Sequence, residues 1–150
     1  MLLAAFVAFG HYLAFFALAV TLVLELALIT ESLSVEVASR IQRADRFMAA
    51  AALLLLLFGF LRVIYFEKGA DYYFSNTFFQ VKLALFIIAG AISLYPSAVF
   101  RRWGSELRQG IAPELTAAAV GRLKKAIHWE LVLIAGILVC ASLMAKGFGG

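Results

Sequence analysis

Four long apolar runs alternate with short polar connections along the chain, from about Leu2 to Thr30, Phe47 to Phe66, Phe78 to Phe100 and Ala126 to Ala145. A helix rises about 1.5 Å per residue and a bilayer's hydrocarbon core is about 30 Å thick, so about 20 mainly apolar residues suffice to cross it. Each run meets that length. Lipid offers no water to satisfy free backbone groups, so the spans must be helical. The pattern predicts an all-α fold: an integral membrane four-helix bundle, with residues 1–150 forming a single four-span transmembrane domain. The first run lacks a basic leading stretch and outlasts the roughly 7–15 apolar residues of a secretory signal, so it reads as a retained helix. It is also longer than the membrane requires, which predicts a tilt or a protruding turn.

Composition narrows the function classes. Of 150 residues, 65% are hydrophobic and 15% charged, against roughly 45–50% and 25% in soluble domains. The lone cysteine, Cys140, excludes an internal disulfide, a paired-cysteine metal site and haem attachment through two thioethers. Two histidines, His11 and His128, stand far apart in sequence, so no zinc-protease pair exists, and no glycine-rich phosphate loop is present. The net charge of +4 comes from basic residues lying between apolar runs rather than along one stripe, which points away from nucleic acid and toward membrane lipid.

Arginine and lysine in the connections predict orientation. The first connection carries Arg40, Arg43 and Arg46, and the third carries Arg101, Arg102, Arg108, Arg122, Lys124 and Lys125. The second holds only Lys68 and the C-terminal tail only Lys146. Loops 31–46 and 101–125 are therefore expected on the cytoplasmic side of a bacterial inner membrane, with both termini on the outer face. Tyr65, Phe66, Phe78 and Phe79 are expected to form an outer aromatic belt. Pro113, followed by Glu114, Leu115, Val120 and Leu123, predicts a short helix on the membrane surface.

Six ionisable residues fall inside the spans: His11, Glu25, Arg62, Lys82, His128 and Glu130. Each costs roughly 2.5–3.5 kcal/mol on insertion scales, so each calls for a partner or a purpose. Depth sorts them into two polar layers, with His11, Arg62 and Lys82 toward the outer face and Glu25, His128 and Glu130 toward the inner one. His11, Leu18 and Glu25 repeat every seven residues and, with Leu22, predict the bundle-facing stripe of the first span. Lys82 shares a stripe with Phe86, Ala89, Ser93 and Pro96; Gly59 accompanies Arg62, and Gly136 and Ala135 offer small residues on the fourth span. Structural roles are open to all six. Arg62 and Lys82 can snorkel to the interface, Glu25 can pair with an arginine of the first connection, and capping or solvent contact accounts for His128 and Glu130.

An imidazole in apolar surroundings, with two cations at similar depth, matches the needs of haem b: an axial nitrogen for the iron and positive groups for two propionates. His11 is the candidate metal ligand, Arg62 and Lys82 the candidate propionate or anion partners, and Lys82 the candidate catalytic residue. His11 and His128 lie roughly 20 Å apart in depth at 1.5 Å per residue, so one haem cannot take both within one chain. Copper fits poorly, because Met1, Met48 and Met144 are scattered. The rival reading is a non-catalytic membrane subunit or scaffold whose polar layers only lock helix packing. Small residues on three helices permit a homodimer or a larger membrane complex.

The stretches Leu61-Arg62-Val63-Ile64-Tyr65-Phe66-Glu67-Lys68-Gly69, Phe78-Phe79-Gln80-Val81-Lys82-Leu83-Ala84-Leu85-Phe86 and Ser93-Leu94-Tyr95-Pro96 resemble a bacterial family of predicted membrane proteins (DUF2214-like), over nearly the whole chain. More distantly, His11, Lys82-Leu83 and the run from Glu130 to Lys146-Gly147-Phe148 resemble HemJ-type protoporphyrinogen oxidases and the CopD-like membrane domain. That resemblance implies a haem-binding four-helix bundle with an electron-transfer or porphyrinogen-oxidase-like role, in which His11 matches the ligand and Lys82 the essential lysine. Gln80, Glu25 and Gly147 stand where those relatives favour histidine, arginine and proline.

Overall fold

The structure, a computed structural model, describes residues 1–149. Four long helices carry the spans: α1 (Leu2–Leu28), α2 (Val35–Leu61), α4 (Thr77–Arg102) and α6 (Ala117–Ala145). Two short ones, α3 (Ala70–Ser75) and α5 (Gly104–Arg108), lie in the connections. All four long helices are long and apolar enough to cross a membrane. The starts of α2, α4 and α6 are set by side-chain caps that satisfy otherwise free amides. Ser34 accepts from the Val37 amide at 3.1 Å, Asn76 from the Phe79 amide at 3.2 Å and Thr116 from the Ala119 amide at 3.2 Å.

Neighbours in sequence are neighbours in space. Helices α1 and α2 pack as one antiparallel pair and α4 and α6 as another; α1 against α6 and α2 against α4 close the ring. The large side chains turned away from the bundle include Phe6, Phe9, Phe16, Leu53, Leu57, Ile87, Leu94 and Val139, all exposed. An apolar exterior suits lipid, where close packing and polar contacts rather than the hydrophobic effect hold helices together.

Packing is uneven along the bundle axis. At the end bearing the first and third connections, here the basic end, Ile29, Ala38, Ile41, Phe100, Leu123 and Ile127 are all at most 1% exposed. Gln42 donates to the Phe100 carbonyl there, and the Leu115 amide donates to the Glu31 carbonyl at 3.3 Å, tying the two connections together. The opposite, tyrosine end has few buried residues, among them Val7, Val63 and Phe79.

Two local expectations are corrected. No surface helix begins at Pro113: residues 114–115 are held extended against the first connection, with Glu114 bridged to Ser32. Val120 and Leu123 belong instead to the first turns of α6, whose buried stripe runs through Leu123, Ile127, Glu130, Ile134 and Ile137. In the aromatic belt, Tyr65 is 72% exposed but Phe79 only 3%. Its ring turns inward to stack at 5.4 Å on Tyr73 and 5.2 Å on Phe74.

Candidate functional site

A cavity of about 450 Å³ opens at the tyrosine end, walled by all four long helices and roofed by α3. His11, Arg62 and Lys82 all line it, so the outer polar layer read from depth is one site in space. The imidazole packs closely on α2. Its Nδ1 lies 3.1 Å from the Leu55 carbonyl oxygen, and a carbonyl only accepts, so Nδ1 carries the proton and Nε2 is the basic nitrogen of the neutral ring. Gly59 permits this approach, since a Cβ there would stand 3.3 Å from the ring's Cε1.

Arg62 and Lys82 differ in kind. After Leu61 the second span continues as a π-helical turn, Arg62–Phe66, closed by the Glu67 amide on the Arg62 carbonyl at 2.9 Å. This i→i+5 closure brings Glu67 back beside Arg62, whose Nε and Nη2 donate to Glu67 Oε1 at 3.1 and 2.6 Å. The guanidinium also lies 5.2 Å from the Tyr12 ring centroid. Tyr73 donates to the other Glu67 oxygen at 3.3 Å, and burial, then the Glu67 charge, raises the phenol's pKa above its ordinary value. Arg62 is thus already neutralised. Lys82 has no acidic partner within ion-pair distance among the described residues, and its Nζ sits 4.8 Å from the Phe79 ring centroid. Met144 lines the same cavity, a residue type the sequence reading left scattered.

The second polar layer departs further from expectation. Glu25 is 0% and Glu130 2% exposed, and neither caps a helix end. Glu25 pairs with no arginine; both of its carboxyl oxygens, and Oε1 of Glu130, lack any hydrogen-bond partner. His128, one residue outside that stripe, is exposed and takes no part. Asp45 of α2, 5% exposed, joins the layer and accepts from Ser97. The sequence carried a signal for it: Asp45 falls on the buried stripe Ala38, Ile41, Met48, Leu55 at helical spacing, masked by the flanking Arg43 and Arg46.

The tyrosine-end site therefore offers one oriented nitrogen base, two cations without an acidic partner among the described residues (Lys82, and Lys68, which donates to the Tyr72 hydroxyl at 3.2 Å), Met144 and apolar walls. The family description "Predicted membrane protein (DUF2214)" matches residues 3–149. The chain belongs to this family. No curated protein and no solved structure matches it, so the comparisons add nothing to the HemJ-type and CopD-like resemblance. What a member of DUF2214 does must be argued from its site.

Proposed function

We propose that this DUF2214 member is an integral membrane haem b-binding protein of the bacterial inner membrane, with an electron-transfer or porphyrinogen-oxidase-like role and the tyrosine end outward. One observation carries the reading: the His11 ring, locked by its Nδ1–H···Leu55 bond, fronts a cavity shared with the unpaired Lys82. A backbone acceptor on the far nitrogen is what orients a metal-binding imidazole and raises its basicity. The residues fit the group. His11 would hold the iron, with Met144 as a second ligand type; Lys82 would offer a counter-charge to a propionate, and Phe86, Leu56 and Ile137 an apolar wall. Bound haem supplies one-electron chemistry. Arg62, held by Glu67, whose other oxygen accepts from Tyr73, positions the rim of the cavity rather than binding the second carboxylate.

The protein purified in mild detergent, or reconstituted with haem, is expected to show a Soret band that His11→Ala abolishes. Lys82→Met should weaken haem affinity about tenfold, the worth of one charge-assisted hydrogen bond near 1.4 kcal/mol. A wild-type protein that stays colourless after reconstitution overturns the reading in favour of a non-catalytic scaffold, in which the same variants lower thermal stability and remove nothing else.

A further inference from the structure

The carboxyl layer toward the basic end lies outside the cavity and takes no part in the function proposed above. Along α1, Glu25 is 14 residues from His11, roughly 21 Å at 1.5 Å per residue. Three acidic side chains on three helices are buried in this layer, where Glu25 of α1 feels the charges of Asp45 of α2 and Glu130 of α6. Each lies between buried apolar neighbours on its own stripe. Leu22 and Ile29 flank Glu25, Ile41 and Met48 flank Asp45, and Ile127 and Ile134 flank Glu130.

The surroundings hold few counter-charges. From α4, Ser97 donates to Asp45, Ser93 stands beside Glu130, and Arg101 is the nearest cation; from α2 it is Arg46. Both arginines are exposed and donate to backbone carbonyls of their own helices, at 3.3 Å each. Thr21 spends its hydroxyl on the carbonyls of α1. No ion pair reaches the three acids among the described residues. The unsatisfied groups are the informative ones: both Glu25 oxygens are sealed from solvent without a donor. A buried carboxylate lacking donors and counter-ion is far more expensive than a neutral acid, and three adjacent ones repel. The cation that can answer such a sealed layer without a coordination shell is the proton.

We propose that Glu25, Asp45 and Glu130 form an intramembrane proton-binding site, holding at least one exchangeable proton on Glu25, with Ser97 bonded to Asp45 and Ser93 beside Glu130. A bound proton removes the charge whose burial is costly and relieves the repulsion within the layer. The site depends on no cofactor, and its fate is separate from that of the haem reading.

The test uses the full-length protein in phosphatidylcholine vesicles, exposed to N,N′-dicyclohexylcarbodiimide, an apolar reagent that adds to protonated carboxyls, with modified residues mapped by mass spectrometry. Modification is expected at Glu25 in preference to the exposed Glu31, Glu36 and Glu106. It should fall several-fold as the medium is raised from about pH 6 to about pH 9. Infrared difference spectra over the same range should show a protonated-carboxyl band that weakens in Glu25→Gln and in Asp45→Asn, and the wild-type spectrum alone decides if those variants fail to fold. Absence of both the label and the band overturns the proposal. So does labelling that ignores pH, or labelling suppressed by sodium at constant pH, which would make the layer a metal-cation site.

Discussion

The two polar layers of this bundle handle the same physical problem in opposite ways. At the tyrosine end, charges sit around an open cavity, and most are answered inside the protein: Arg62 by Glu67, Glu67 by Tyr73, and His11 by a backbone carbonyl. Lys68 donates to the Tyr72 hydroxyl at 3.2 Å, and Lys82 has neither an acidic partner nor a hydrogen bond among the described residues. At the basic end the acids are closed in by the tightest packing of the molecule and are scarcely answered at all. An intramembrane charge with room beside it invites a ligand, whereas one without room invites a proton.

Substitutions that exchange the logic of the two layers should break the contrast. The largest effect belongs to His11→Ala, which removes the sole oriented nitrogen of the cavity; bound haem should fall by well over about tenfold, read from the absorbance spectrum. Next is Glu25→Leu, which trades sealed, donorless oxygens for methyl groups of similar bulk. Thermal unfolding in detergent should show a gain of about 1–3 kcal/mol, because an unsatisfied buried polar group is removed. A loss of stability there would mean that Glu25 has a partner and that the two layers are alike. Gly10→Ala places a Cβ 2.8 Å from the Phe58 ring, and overpacking of this kind destabilises by about 1 kcal/mol or more. At Gly59 the added methyl meets the imidazole instead, so Gly59→Ala should weaken haem binding while changing the unfolding midpoint little.

The smallest effects lie at the cavity rim. The Arg62–Glu67 pair is partly exposed, with side-chain exposures of 23% and 33%, so Glu67→Gln should lower stability by no more than about 1 kcal/mol. Its clearer signature is spectroscopic. The Tyr73 phenol is held above its ordinary pKa by burial and then by the Glu67 charge, so neutralising Glu67 should move tyrosinate formation at Tyr73 to lower pH in an ultraviolet titration. No downward movement would show that burial alone governs Tyr73.

The periodic features were readable in advance because period and depth are local properties. His11, Leu18, Leu22 and Glu25 do share the inward stripe of α1, Ala89 and Pro96 lie on the buried face of α4 below Lys82, and Gly136 packs against Leu85. Ala135, by contrast, is exposed. Partnerships were less readable. Residues five apart lie on different faces of an α-helix, so nothing in an α-helical reading joins Arg62 to Glu67; the π-helical turn does. Asp45 falls in the stretch 31–46 read as a connection, yet helix α2 begins at Val35 and carries it on its buried stripe. Met144 needed the closing of α6 on α4 to reach the cavity.

Taken alone, the order of amino acids determined that this chain enters a membrane, crosses it four times and carries ionisable groups at two depths, since hydrophobic length and helical period follow from the residues in succession. Only the tertiary structure decided which of those groups are satisfied. Hydrogen bonds and ion pairs between helices depend on rotations and approach distances that glycines, a π-helical turn and inter-helix packing establish together, and none of these is written in any single segment.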